Sequence, residues 1–78
     1  MNIQSTKQLG TAIRAKRKQL KVTQAELAMT CGTGLRFIVD LEKGKPTCQI
    51  GKILRILQSL GVSLRIDGTD AGSSGDAP

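Results

Sequence analysis

Two glycines one residue apart, Gly32 and Gly34 in "TCGTGLRF", break an otherwise helical stretch of this chain. A glycine in a helix interior costs about 1 kcal/mol relative to alanine, so the pair marks a junction. Before it, "TQAELAMTCG" carries Thr23 and Glu26 in capping-box spacing, with Ala25, Leu27, Ala28 and Cys31 as apolar content. After it, "TGLRFIVDLEKG" places Leu35, Ile38 and Leu41 at core-facing helical spacing, with Thr33 as expected N-cap. Gly44 stands where a left-handed residue ends a helix. Gly32 supplies the positive φ of a tight turn. Gly34 falls in the first turn of the next helix. There it either lets the backbone approach an outside surface or packs closely on the helix before it.

The flanking segments complete a small helical domain. "STKQLGTAIRAKRKQL" reads as a first helix, with Ser5 as N-cap and Gln8 as its capping-box partner. Leu9, Ala12, Ile13 and Leu20 form its apolar stripe, and Arg17 falls on that stripe. A buried arginine needs a partner, and Glu42, four residues after Ile38, is the expected one. "PTCQIGKILRILQSLG" is a fourth helix, with Thr47 as cap and Gly61 closing it. Ile50, Ile53, Leu54, Ile56, Leu57 and Leu60 are too many for one face, so a second side calls for another molecule. "VSLRI" then alternates, a strand pattern with Val62, Leu64 and Ile66 on one face. A single strand cannot satisfy its backbone alone, so it must pair with a second copy or another protein. The expected fold is all-α, four to five helices, with a short C-terminal β-strand pairing across a dimer. Residues 1–66 form the domain, with the dimerisation strand at 62–66. Leu57, Leu60, Val62, Leu64 and Ile66 are the expected seam. Residues 67–78, rich in Gly, Ser and Asp, read as a disordered tail.

Composition narrows the function. With 78 residues the chain can hold one core, and a marginal one. Two cysteines and no histidine make no four-ligand zinc site, so no metal or cofactor is expected. Cys31 and Cys48 read as small buried apolar residues of a cytoplasmic protein. No apolar run is long enough for a bilayer, so no membrane partner is expected. All twelve Lys and Arg lie in residues 1–66 against three acids, a balance of +9. Such excess favours a polyanionic partner, with a solvated basic surface as the alternative. No paired carboxylates, phosphate-binding glycine loop or activated nucleophile is visible, so no enzyme is expected. A reader of single-stranded RNA would want aromatic stacking faces, and Phe37 is the one aromatic residue.

"TQAELAMTCGTGLRFIVDLEKGK" resembles the helix-turn-helix of the Cro and lambdoid-repressor class. Thr23, Gln24, Leu27, Ala28, Gly32, Ile38, Glu42 and Gly44 match its pattern of T-Q-x-x-L-A, turn glycine and I-x-x-x-E-x-G. The likeness extends over residues 9–66. The "LRF" recognition helix and the C-terminal strand make the chain most similar to antitoxins of the HipB type. That resemblance implies a repressor of double-stranded operator DNA, dimeric through its C-terminal strand and paired with a HipA-like kinase toxin. It also points to the Arg17–Glu42 pair. Other readings are a toxin-neutralising adaptor with secondary DNA binding and a stand-alone phage-type repressor. The chain departs from the pattern after the turn, with Thr33 and Gly34 where Val-Ser is common. Leu35 and Val39 stand where phage repressors often carry polar readers, which favours contact with thymine methyls.

The expected base-facing residues are Gly34, Leu35, Arg36 and Asp40. Arg36, early on the recognition helix, can bridge O6 and N7 of guanine; its alternative is a phosphate contact or a solvated charge. Asp40 can accept from a cytosine amine, repel wrong placement, or balance local charge. The expected phosphate-facing residues are Thr23, Gln24, Thr33, Lys43 and Lys45. Gln24 matches the family's phosphate-binding glutamine at a helix start, where anions are favoured. Lys43 and Lys45 flank the turn after the recognition helix as backbone clamps or solubilising charges. Phe37, beside the core position Ile38, points partly outward, to pack under the next loop or to touch DNA.

Overall fold

The computed structural model describes residues 3–62. They form four helices: α1 (Thr6–Gln19), α2 (Gln24–Cys31), α3 (Leu35–Glu42) and α4 (Ile50–Ser59). Among the described residues there is no strand. The strand expected at 62–66, apart from Val62, and the tail at 67–78 lie outside them.

The helix starts divide into two kinds. At α2 the capping box is complete: Glu26 N–H donates to Thr23 Oγ1 at 3.0 Å, and Thr23 N–H donates to Glu26 Oε1 at 2.8 Å. At α1 Ser5 Oγ accepts from Gln8 N–H at 3.1 Å, but Gln8 Oε1 accepts from Gln4 N–H rather than from Ser5. The N-caps of α3 and α4 are Gly34 and Gln49, neither with a side-chain cap bond. Thr33 and Thr47 are therefore not the caps expected of them. The Thr33 N–H is engaged in closing α2, donating to Ala28 O at 2.9 Å, so the extended residue that opens α3 is the next one. Thr47 lies in the turn after Pro46, two residues ahead of the α4 cap.

All four helices end alike. A residue with positive φ follows each helix, and two backbone bonds reach back to the last turn. After α2, Gly32 N–H donates to Met29 O while Thr33 N–H donates to Ala28 O. Gly44 with Lys45, and Gly61 with Val62, repeat the pattern after α3 and α4. After α1 the left-handed position is held by Lys21, φ 59°, a non-glycine residue.

Ile13 of α1, Leu27, Ala28 and Cys31 of α2, Ile38 and Leu41 of α3, and Ile53, Ile56, Leu57 and Leu60 at α4 form one buried cluster. Each large side chain there contributes about 1.5–3 kcal/mol of apolar burial. Leu20 of the α1 stripe and Leu35, expected to face the core, are exposed instead, and Cys48, expected to be buried, is half-buried. Leu20 is the C-cap of α1 and Leu35 the first residue of α3, so both lie at helix ends. Leu57 and Leu60, expected at a dimer seam, sit in the protomer's own core, and Ile50 and Leu54 are the α4 residues that face outward.

Gly10 explains how α1 lies so close to α3. A Cβ there would meet the carbonyl oxygen of Leu41 and come within 2.7 Å of that of Glu42. The helices touch backbone to backbone, and Thr6 Oγ1 donates to Gly44 O at 2.7 Å just beyond.

Candidate nucleic-acid interface

The second half of α3 is tied into the interior by a polar knot. Arg17 Nε donates to Glu42 Oε2 at 2.6 Å and Arg17 Nη2 to Oε1 at 3.0 Å, a two-pronged pair. The side chains are 9% and 3% exposed, so the pair is shielded from water. Arg17 Nη1 donates to Val22 O at 2.8 Å, bridging into the α1–α2 link. Gln24 Nε2 donates to Glu42 Oε1 at 3.1 Å, adding the start of α2. Because a carboxylate only accepts, this bond fixes which end of the Gln24 amide carries hydrogen. One of its two N–H donors is engaged, which leaves the second for an outside acceptor. The bond to Glu42 raises the pKa of Arg17 above its ordinary value. Burial opposes the charge on Arg17, and the bond to Glu42 outweighs that effect.

The first turn of α3 is the opposite. Nothing lies within 4 Å of a Cβ placed on Gly34, so that backbone faces open space and is not packed on α2. Leu35 and Arg36 follow, both exposed. Arg36 Nε lies 3.2 Å from Asp40 Oδ1, and Lys45 Nζ lies 3.5 Å from Asp40 Oδ2. Lys43, the C-cap of α3, is exposed, and Val39 and Thr33 are half-buried. Phe37 is half-buried against the core with Lys52 Nζ 5.4 Å from its ring centroid, a packing residue.

Every acid among the described residues has a partner within the chain. Glu42 takes Arg17, Asp40 takes Arg36 and Lys45, and Glu26 accepts from Thr23 N–H. The Thr23 N–H first, and its hydroxyl second, hold the Glu26 carboxyl below its ordinary pKa. The lysines of α1 and of the loop after α3 are left to dominate the outward field.

The structure therefore brings Gly34, Leu35 and Arg36 together on one open edge, with Thr33 beside them. Asp40 is only 17% exposed, and each of its oxygens faces a cation. Thr23 is engaged in capping, and Gln24 in the buried knot. Sequence reasoning missed Arg55, whose Nη1 donates to Cys31 O at 3.3 Å and holds the last turn of α2 from α4. A cation at a helix C-terminus is a familiar pairing, but nothing in the α4 pattern tells which helix end it meets. Among the described residues, no helix is long and apolar enough to cross a membrane.

An open start on the second of two short helices, set by a glycine turn and carrying an exposed arginine, suits insertion into a DNA groove. Comparison with known proteins agrees. A helix-turn-helix family model matches residues 13–66. The uncharacterized HTH-type transcriptional regulator y4mF of Sinorhizobium fredii (strain NBRC 101917 / NGR234) is 53% identical over 64 residues, 82% of this chain and 84% of that protein. Among solved structures, the HipA-HipB-O2-O3 complex contains a chain 31% identical with a TM-score of 0.80, covering 90% of this chain and 99% of that one. The HipB-O4 20mer complex matches at 30% identity, TM-score 0.80 and the same coverage. The chain belongs to the helix-turn-helix family of DNA-binding transcriptional regulators.

Proposed function

We propose that this chain is a cytoplasmic repressor that binds a pseudo-palindromic operator as a homodimer and acts as the antitoxin partner of a HipA-like kinase toxin. It works by binding, without catalysis or cofactor. Gly34 lets the start of α3 come close to the DNA, while Leu35 and Arg36 face bases, with Asp40 behind them. Thr23, Gln24, Thr33, Lys43 and Lys45 hold phosphates. The observation that carries the reading is the open first turn of α3. After a glycine with nothing around it come an exposed leucine and an arginine side chain that is 84% exposed, a surface this protomer leaves uncovered. Dimerisation is supported by the outward Ile50 and Leu54 of α4 and by the strand pattern at 62–66. Two dyad-related recognition helices would then enter major grooves about 34 Å apart. The toxin pairing rests on the likeness to HipB, solved both with an O4 20mer and in a complex with HipA.

The test is binding to a selected operator and to a scrambled duplex at several salt concentrations. Arg36→Ala should cost roughly 1–3 kcal/mol per half-site and blur the preference at one base pair. Lys43→Ala should weaken both duplexes alike and flatten the salt dependence. Equal loss on both duplexes for Arg36→Ala would make Arg36 a phosphate contact. Purification from the native locus tests the partner: a co-purifying kinase-like protein is expected. A chain that captures this protein yet shows no operator preference would favour the adaptor reading.

A further inference from the structure

Asp40 lies one helical turn after Arg36 on α3. Its carboxylate is sunk to 17% exposure, while the Arg36 side chain is 84% exposed. The identity of the paired atoms matters. Asp40 Oδ1 faces Nε of Arg36 at 3.2 Å, and Lys45 Nζ donates to the other oxygen, Oδ2, at 3.5 Å. A guanidinium is a planar fork with five N–H donors, and the atom nearest Asp40 is the one at its base, drawn there by charge and not by a hydrogen bond. The donors at its tip are the pair whose geometry matches O6 and N7 of guanine.

We propose that Asp40 is a positioning residue for base recognition: its charge draws the base of the Arg36 guanidinium toward α3 and leaves the Nη end to read guanine, while Lys45 pairs with the other carboxylate oxygen. The inference rests on the reading of Arg36 as a base contact. The pair does little for the fold. Exposed pairs one turn apart are weak, and arginine ahead of the acid is the less favourable order. Its effect is on binding. A fork already oriented loses less side-chain freedom when it meets its base. A fixed carboxylate near the groove also opposes any phosphate backbone, matched or not. Asp40 thus favours the correct site and disfavours the rest.

These two effects give a signature of opposite signs. Full-length protein carrying Asp40→Asn should bind the selected operator about twofold more weakly, since orienting the fork adds no more than the pair itself is worth. The same variant should bind scrambled duplex more tightly, because one negative charge is gone. Asp40→Glu keeps the charge and should recover most of the preference. With Arg36→Ala already present, Asp40→Asn should leave base preference unchanged, since both residues act through one contact. Thermal unfolding of each variant establishes that the protein compared is folded; a merely structural Asp40 would lower both affinities together and overturn the proposal. Tighter binding to both duplexes by the same factor would reduce Asp40 to a repelling charge. A separate loss of preference at another base pair on top of Arg36→Ala would make Asp40 a base reader itself. If Arg36→Ala keeps the preference, the reading of Arg36 falls and the inference with it. If Arg36→Ala loses the preference and Asp40→Asn does not, the inference alone falls.

Discussion

The two ends of α3 are built on opposite terms. Its C-terminal half is held on every side: Ile38 and Leu41 are buried, Glu42 is gripped by Arg17 and Gln24, and Gly10 presses backbone on backbone. Its N-terminal turn has no side-chain cap, no neighbour around Gly34, and two exposed side chains. A helix of eight residues is too short to be stable by itself. Anchoring one end firmly is what allows the other to project and remain helical. The difference teaches where stability and recognition reside, and substitutions at either end should separate the two.

The largest effect is expected at the anchored end. Glu42→Gln keeps the shape of the side chain but leaves Arg17 as a buried cation without its anion. Loss of about 3–5 kcal/mol is expected in urea or thermal unfolding. Replacing both, Arg17→Met with Glu42→Leu, should recover much of that loss, since an apolar pair of similar volume needs no compensation. Loss well under 1 kcal/mol for the single change would mean that water reaches the pair.

The next test applies one chemical change at both ends. Gly10→Ala puts a methyl against the carbonyls of α3 and should cost about 1–3 kcal/mol, because backbone rather than a flexible side chain must yield. Gly34→Ala meets open space and should shift stability by no more than about 0.5 kcal/mol. Operator affinity should reverse the ranking, with folded Gly34→Ala protein the weaker binder. Equal stability costs would erase the distinction between the ends.

A smaller effect sharpens the picture at the free end. Gly34→Ser offers the side-chain acceptor that the N-cap lacks and should raise stability by a few tenths of a kcal/mol. Scanning calorimetry reads the change, and a loss of stability would show that the turn needs glycine after all.

The smallest effect concerns acid. Glu26 titrates below its ordinary value in the folded chain, so its contribution is present above the unfolded value, about pH 4.3, and is lost as pH falls through the lower folded one. The thermal midpoint should therefore sag slightly below about pH 5, and Glu26→Gln should flatten that slope. Arg17 is shifted the other way, so its contribution is intact at neutral pH and lost only in strong alkali.

Much of this architecture is legible in the residues because local rules and the fold agree. Thr23 with Glu26, and Gly32, Gly44 and Gly61, announce helix boundaries by chemistry that acts within a few residues. Arg17 on an apolar stripe demands a partner, and Glu42 supplies one. The expectations that failed depend on neighbours far along the chain. Thr33 loses its capping role because its N–H closes the helix before it. Leu57 and Leu60 cannot be told from Ile50 and Leu54 by hydrophobicity, because only the docking angle of α4 decides which pair faces inward. The close contact at Gly10 has no local signal, since a glycine inside a helical pattern reads only as a weak spot. At the interface, the type and spacing of Arg36, Lys43 and Lys45 are visible, but the ion pairs of Asp40 depend on rotamers that spacing alone does not specify.

The inward engagement of the acids bears on how such a protein finds its target. Among the described residues Glu42 is buried in its pair with Arg17 and Asp40 lies between two cations, which leaves Glu26 as the acid that an approaching duplex meets uncompensated by a cation. A net positive field draws a polyanion from beyond contact distance and speeds encounter, most strongly at low salt. It also holds the protein weakly on DNA of any sequence, so that the search proceeds by sliding and hopping along the polymer instead of repeated three-dimensional collisions.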